Sequence, residues 1–252
     1  MAYNNAETQY EKEIQLIYNN EKLTTDANEE LRALLNLPSL HTIEAFDNSN
    51  LFGTYTVSGM IVFKDGVPSK KDYRKFKLTF DKNDDVASMK EVIYRRYFRL
   101  LNEHLPLPEL IVVDGGYNQI TATKEVISSL YLNIKVIGVK KDNHHSPTAI
   151  VDGDDFSEIE IKKSSNVFRL LSRIDEEVHR FTINYHRDIR SKGSIASVLD
   201  NIPGIGTKRR KELIKKYGSV NKIKSASVYD LSKIVPLKVA EDIKTYLNTE
   251  DK

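Results

Sequence analysis

The sequence predicts an α/β domain, a mixed sheet with flanking helices, followed by a small all-α module. Three observations predict it. Leu110-Ile111-Val112-Val113 is a short, wholly apolar run closed by Asp114-Gly115-Gly116, the mark of a central strand buried on both faces. Strand-like and helix-like stretches alternate around that run. Beyond Ile195 no strand pattern remains, and Ile202-Pro203-Gly204-Ile205-Gly206 leads into Thr207-Lys208-Arg209-Arg210, a glycine hairpin followed by cations.

Each element has its own signal. Residues 6–36 are polar, with Ile14, Leu16, Ile17, Leu31, Leu34 and Leu35 as apolar positions, and predict one or two exposed helices forming a lead-in over 1–38. The domain proper spans 39–190. His41–Phe46 is an apolar strand ending in Asp47. Tyr55–Phe63 and Tyr73–Phe80 are further strands, the first followed by the turn Lys64-Asp65-Gly66. Asp84–Leu101 has helical spacing through Val86, Met89, Val92, Ile93, Tyr97 and Leu100. After the Leu110–Asp114 strand come a helix over 118–130 and a strand over Ile134–Val139. This β-β-β-α-β-α-β order is that of a ribonuclease-H-like sheet, antiparallel strands extended by parallel ones. Thr148–Val151 and Glu158–Ile161 form a hairpin around Asp152-Gly153-Asp154-Asp155. Asn166–Tyr185 is a long helix with Phe168, Leu171, Ile174, Val178 and Phe181 on one stripe. Ile189–Ser194, which contains Gly193, is the expected linker, and 195–252 the helical module.

Composition narrows the chemistry. With 40% apolar and 29% charged residues the chain is ordinary globular protein, and without cysteine it has no disulfide and no thiolate chemistry. No apolar run approaches membrane-spanning length, so no membrane partner is expected, and cytoplasmic placement is the default. The net charge of +2 hides an asymmetry: residues 187–252 carry +7 and residues 1–186 carry −5. A basic tail suits a polyanion, and an acidic body suits carboxylates gathered around metal.

Three carboxylates fall at element ends: Asp47 after the first strand, Asp85 at a helix start and Asp114 after the central strand. Open α/β sheets place ligands at the carboxyl ends of their strands. For Asp114 alone, capping of the following helix is the competing role. Adjacent core strands would bring Asp47 and Asp114 within metal-bridging distance. An oxygen-rich, cysteine-free cluster selects Mg²⁺ or Mn²⁺. His179 and His186, two turns apart on the last helix of the domain, are the other candidates. In the tail, Gly204, Ile205 and Gly206 let backbone N–H groups face a phosphate, and Lys208, Arg209 and Arg210 add charge. This is a helix–hairpin–helix signature.

Together these residues resemble UvrC, the nuclease subunit of the bacterial excinuclease of nucleotide excision repair. The resemblance rests on Ile43-Glu44-Ala45-Phe46-Asp47, Asp84–Met89, Leu110–Gly116, Arg173–Phe181 and Ile202–Arg210, in the family's order, over 39–252. It implies the C-terminal half of a longer protein: a ribonuclease-H-like endonuclease with a tandem helix–hairpin–helix module, cutting DNA 5′ to a lesion with Mg²⁺ or Mn²⁺. By motif the family's catalytic Asp, Asp and His fall on Asp47, Asp114 and His179, with Asp85 as a further acidic residue. Double-stranded DNA carrying a lesion, bubble or nick is the implied substrate, and a UvrB-type subunit the implied partner of the full-length protein.

The sequence also departs from the family pattern. Asn48-Ser49-Asn50 follows Asp47 where the family has Ile-Ser-His. Tyr117-Asn118 replaces Lys-Gly. Gly138-Val139-Lys140-Lys141 stands for Gly-Leu-Ala-Lys, with Lys140 taken as a DNA contact. The second hairpin, Ile234-Val235-Pro236-Leu237-Lys238, lacks the expected glycine. Two other readings compete: a DNA-holding scaffold with a decayed site, and an endonuclease V-type enzyme acting on deaminated bases. The latter does not predict the C-terminal hairpin module.

Overall fold

The computed structural model describes residues 22–51, 55–78 and 84–249. Contacts divide the chain into two units, one up to Ile183 and one from Asn184 onward. The expected N-terminal helices lie outside the described residues as far as residue 21.

In the first unit a π-helical turn (Lys22–Asp26) leads into α1 (Ala27–Leu34). There follow β1 (Thr42–Leu51), β2 (Tyr55–Lys64), β3 (Val67–Pro68), β4 (Arg74–Lys77) and α2 (Asp85–Asn102). Then come β5 (Leu110–Val113), α3 (Tyr117–Ser129), β6 (Lys135–Lys141), β7 (Pro147–Asp152), β8 (Glu158–Glu160) and α4 (Asn166–Asp200). The strands form one mixed sheet in the order β3-β2-β1-β5-β6-β7-β8, with β4 paired to β2. β1 runs antiparallel to β2 and parallel to β5, and β5 runs parallel to β6. The expected strand over 73–80 is realised as β4; residues 79–83 lie outside the described part.

Side-chain alternation along the strands sorts the core into two layers. Ile43, Ala45, Leu110, Val112, Ile137 and Val139 face α1 and residues 167–178 of α4. Phe46, Ile111, Val113 and Val136 face α2 and α3. β5 is therefore buried on both faces along its whole length, as its unbroken apolar run requires. The expectation of exposed leading helices is corrected at α1. Ala27 and Leu31 are fully buried against the sheet, because the Leu31/Leu35 pair closes one end of the core. A buried ion pair ties β1 to α2: Arg96 binds both carboxylate oxygens of Glu44, at 3.2 and 2.5 Å, and the Tyr97 hydroxyl donates to Glu44 Oε2 at 3.0 Å.

Residues 189–194, expected as a linker, are helical, and α4 runs unbroken from Asn166 to Asp200. A lone glycine inside a helix costs only about 1 kcal/mol, too little to end it by itself.

The second unit packs the end of α4 with α5 (Thr207–Tyr217), α6 (Val220–Ser225), α7 (Val228–Ser232) and α8 (Leu237–Thr249) around its own core, to which α4 gives Ile195 and Leu199. Its first hairpin depends on Gly204, whose φ of +87° is a left-handed value, and a Cβ there would stand 2.8 Å from Val239 Cγ2.

Candidate active site

Strand register builds the site. In the parallel β1–β5 pair Phe46 lies opposite Val113, so Asp47 and Asp114 stand at the same level. β5 ends at Val113, whereas β1 runs on to Leu51 because its antiparallel pairing with β2 continues, so the expected strand end at Asp47 is corrected: Asp47 lies inside β1, opposite Gly59. The Asp114 amide donates to the Phe46 carbonyl at 3.0 Å and fixes that level. By alternation both carboxylates fall on the α4 face of the sheet. α4 supplies the third member, since His179 follows Val178 and Ile174, which seat that stretch of helix on the core. Ligand atoms of Asp47, Asp114 and His179 all lie within 4.8 Å of one another.

Asp114 is not a helix cap. The N-cap of α3 is Gly116, without a side-chain cap bond, while Asp114 Oδ1 accepts from Lys141 Nζ at 2.6 Å. The same ammonium lies 2.6 Å from Asp175 Oδ1. Asp175 stands one turn before His179 on α4 and so on the same face. Burial works against the Lys141 charge, but bonds to Asp114 and Asp175 outweigh it and hold its pKa above the ordinary value. Burial likewise raises the Asp175 pKa, against the pull of Lys141.

Asp47 is the most perturbed group of the cluster. Its pKa is pushed from the ordinary 3.8 to about 6, first by burial and then by the neighbouring Asp114 charge, with His179 and Thr182 opposing. His179 Nδ1 stands 3.4 Å from Asp47 Oδ2, within ion-pair range but too far for a good hydrogen bond, and that buried oxygen has no hydrogen-bond partner. A buried, unpartnered carboxylate oxygen facing a second carboxylate and an imidazole fits a divalent cation.

Other expected residues lie elsewhere. Asp85 is the exposed first residue of α2, beside the N-cap Asp84, which accepts from the amides of Val86 and Ala87 at 3.0 Å each. The metal-type cluster among the described residues does not include it. His186 is buried and belongs to the unit that begins at Asn184. Lys140 is exposed and bonded to both oxygens of Glu158, at 2.9 and 2.8 Å, whereas Lys141 reaches Asp114. Alternation along β6 separates the two lysines: Ile137 and Val139 face α4, and Lys141 shares their parity. Parity was readable in the sequence and could have found Lys141. Asp175 lay inside a motif already matched, one helical turn from His179.

In the second unit Arg209 Nη1 donates to the Gly204 carbonyl at 2.8 Å, and Arg210 pairs with Asp200. Lys208 is exposed at the start of α5, whose N-terminus has no side-chain cap. Those first-turn amides are open to an anion.

A family model described as the UvrC RNAse H endonuclease domain matches residues 32–183. The chain belongs to this family. A second model, a SAM-like helix-hairpin-helix tandem, matches residues 196–249. The two matches, in this order, are those of the C-terminal half of UvrC. They make the chain a DNA endonuclease of ribonuclease-H-like fold with a DNA-binding helical module. Among solved structures, human endonuclease V is 12% identical with a TM-score of 0.33, over 64% of this chain and 90% of that one. Ciona intestinalis endonuclease V in complex with inosine-containing DNA is 11% identical at 0.37, over 70% and 99%. Marinitoga piezophila Argonaute in complex with guide RNA is 15% identical at 0.29, over 40% and 17%. Among the described residues no helix is long and apolar enough to cross a membrane.

Proposed function

We propose that this UvrC-family chain is a divalent-metal-dependent endonuclease of nucleotide excision repair that makes the incision 5′ to a lesion. The observation that carries the metal dependence is the unpartnered Asp47 Oδ2, buried between Asp114 and His179. Asp47, Asp114 and His179 would hold Mg²⁺ or Mn²⁺. Such an ion supplies Lewis acidity at the scissile phosphate.

The chain's own groups do the rest. Asp47 and Asp114 orient the reacting phosphate by fixing where positive charge sits. His179, 60% exposed, turns Nδ1 toward Asp47 and leaves Nε2 to exchange a proton with solvent or the leaving group. Residues 204–210 grip the duplex through backbone amides and Lys208 without reading bases, so binding is salt-dependent and sequence-tolerant. A contribution of Lys140 to DNA binding requires it to exchange Glu158 for a phosphate. Asp85 stays a candidate for orienting DNA outside the three-residue cluster. A UvrB-type subunit is the proposed source of lesion recognition, with bubble or nicked duplex as the DNA presented.

The test is nicking of an end-labelled duplex with a bubble or a pre-made 3′ nick, with and without the UvrB-type partner. Metal-dependent cutting 5′ to the lesion by the wild type, lost in Asp114→Ala with DNA binding retained, supports the reading. DNA binding without cutting under every metal and partner condition replaces it with the scaffold reading.

A further inference from the structure

Metal-dependent phosphodiester hydrolysis commonly uses two cations about 3.5–4 Å apart, bridged by a shared carboxylate. Asp114 is placed to be that shared ligand. On one side it joins Asp47 and His179, and on the other its Oδ1 is taken by the Lys141 ammonium. Lys141 also binds Asp175 at 2.6 Å, so it lies between two carboxylates much as a metal ion would. The Lys141 side chain is 18% exposed and that of Asp175 14%, which excludes a casual surface pair. Removal of the Lys141 charge would leave Asp114 and Asp175 facing each other half-buried and repelling. The position opens on a groove of about 750 Å³, lined by Asp114, Lys141, Asp175 and His179 among others, so a phosphate can approach it.

We propose that Lys141 takes the place of a second metal ion, so that the site binds one divalent ion and carries its second positive charge as the Lys141 ammonium between Asp114 and Asp175. This rests on the metal-dependent reading above. Lys141 is then a positioning residue: it sets the charge and the free oxygen of Asp114, and it limits the metal count. Three carboxylates and an imidazole without Lys141 would form an ordinary two-ion site; with it, one position is filled in advance.

The experiment is Mn²⁺ stoichiometry, by calorimetry and by the paramagnetic resonance signal of bound Mn²⁺, on the full chain without DNA. The wild type is expected to bind one ion, lost in Asp47→Asn. Lys141→Gln is expected to bind two, the second at least tenfold more weakly and with the broadened signal of coupled neighbouring ions. Lys141→Gln/Asp175→Asn should return to one, and Lys141→Arg should stay at one. Two ions in the wild type overturn the inference whether or not the glutamine variant folds. So does a single ion in folded Lys141→Gln, while the metal-dependent reading survives. No ion in the wild type removes both.

Discussion

The space that a side chain on Gly59 would fill is occupied by the hydroxyl of Thr182. Gly59 lies opposite Asp47 in the β1–β2 ladder, and a Cβ there would collide with Thr182 Oγ1 and stand 3.1 Å from Phe181 Cδ1. The missing side chain is what lets α4 approach the sheet closely enough for His179 to reach Asp47. Gly59→Ala is therefore expected to destabilise the fold by about 1–3 kcal/mol through overpacking. It should also weaken Mn²⁺ binding by moving His179 away from Asp47. Thr182→Ala in the same chain removes the nearest colliding atom and should restore part of both losses. Urea unfolding and Mn²⁺ titration of the two variants check this; unchanged metal affinity in Gly59→Ala would show that α4 does not need this approach.

The raised Asp47 pKa makes the metal-free fold pH-sensitive. The folded carboxyl holds its proton more tightly than the unfolded one, about 6 against 3.8, so in this window the native state binds more protons. Stability from this group is greatest below pH 3.8, falls as pH rises to about 6, and is constant above that. The full change is about 3 kcal/mol. In chelator, Asp47→Asn is expected to be more stable than wild type at pH 7–8 and to converge with it near pH 4. Urea midpoints of both proteins across this range decide the matter, and parallel curves would sink the idea. Added Mg²⁺ or Mn²⁺ should stabilise the wild type at pH 7 and leave Asp47→Asn nearly unchanged.

Glu44 and Arg96 predict a stability effect without direct contact with the site. Loss of one partner leaves a buried charge uncompensated, at a cost of about 3–5 kcal/mol. Burial opposes the Arg96 charge and Glu44 prevails over it, holding the pKa above its ordinary value; with Glu44 removed the guanidinium still remains charged, because its ordinary pKa lies far above neutrality. Glu44→Ala should thus cost several kcal/mol, while Glu44→Met/Arg96→Met should lie much closer to wild type. A double-mutant cycle by urea unfolding measures the coupling, and additive losses would refute it.

What the sequence made legible follows from periodicity. The apolar run 110–113 and the Asp-Gly-Gly after it identified β5 and Asp114, because a strand buried on both faces leaves no other pattern. Placing Asp47 beside Asp114 needed only the assumption that their strands are neighbours, which the β1–β5 register bears out. Motif spacing singles out Lys140 as a DNA contact and is silent on Lys141, which only strand parity turns toward Asp114. Gly193 signals a linker over 189–194, but a long helix absorbs the cost of one glycine. Asp175 was hidden because an ion pair spanning 34 residues between β6 and α4 has no local signature. The collision site at Gly59 is equally non-local, since nothing near Gly59 in sequence announces Thr182.

The three cations after the hairpin glycines are equivalent in sequence but not in the fold. Arg210 is engaged with Asp200, and Arg209 with the Gly204 carbonyl of its own loop. Lys208 is exposed beside the open first turn of α5. Lys208→Ala is therefore expected to weaken duplex binding at every sequence and to reduce the slope of log affinity against log salt by about one phosphate contact. Arg210→Ala should change that slope less, because its charge is already neutralised by Asp200, and Asp200→Asn should strengthen binding by releasing Arg210. Fluorescence anisotropy with labelled duplex between 50 and 200 mM salt, a range over which several phosphate contacts are readily separated, measures all three variants. Equal slopes for Lys208→Ala and Arg210→Ala would mean that DNA breaks the Asp200 pair and that the hairpin uses its cations without distinction.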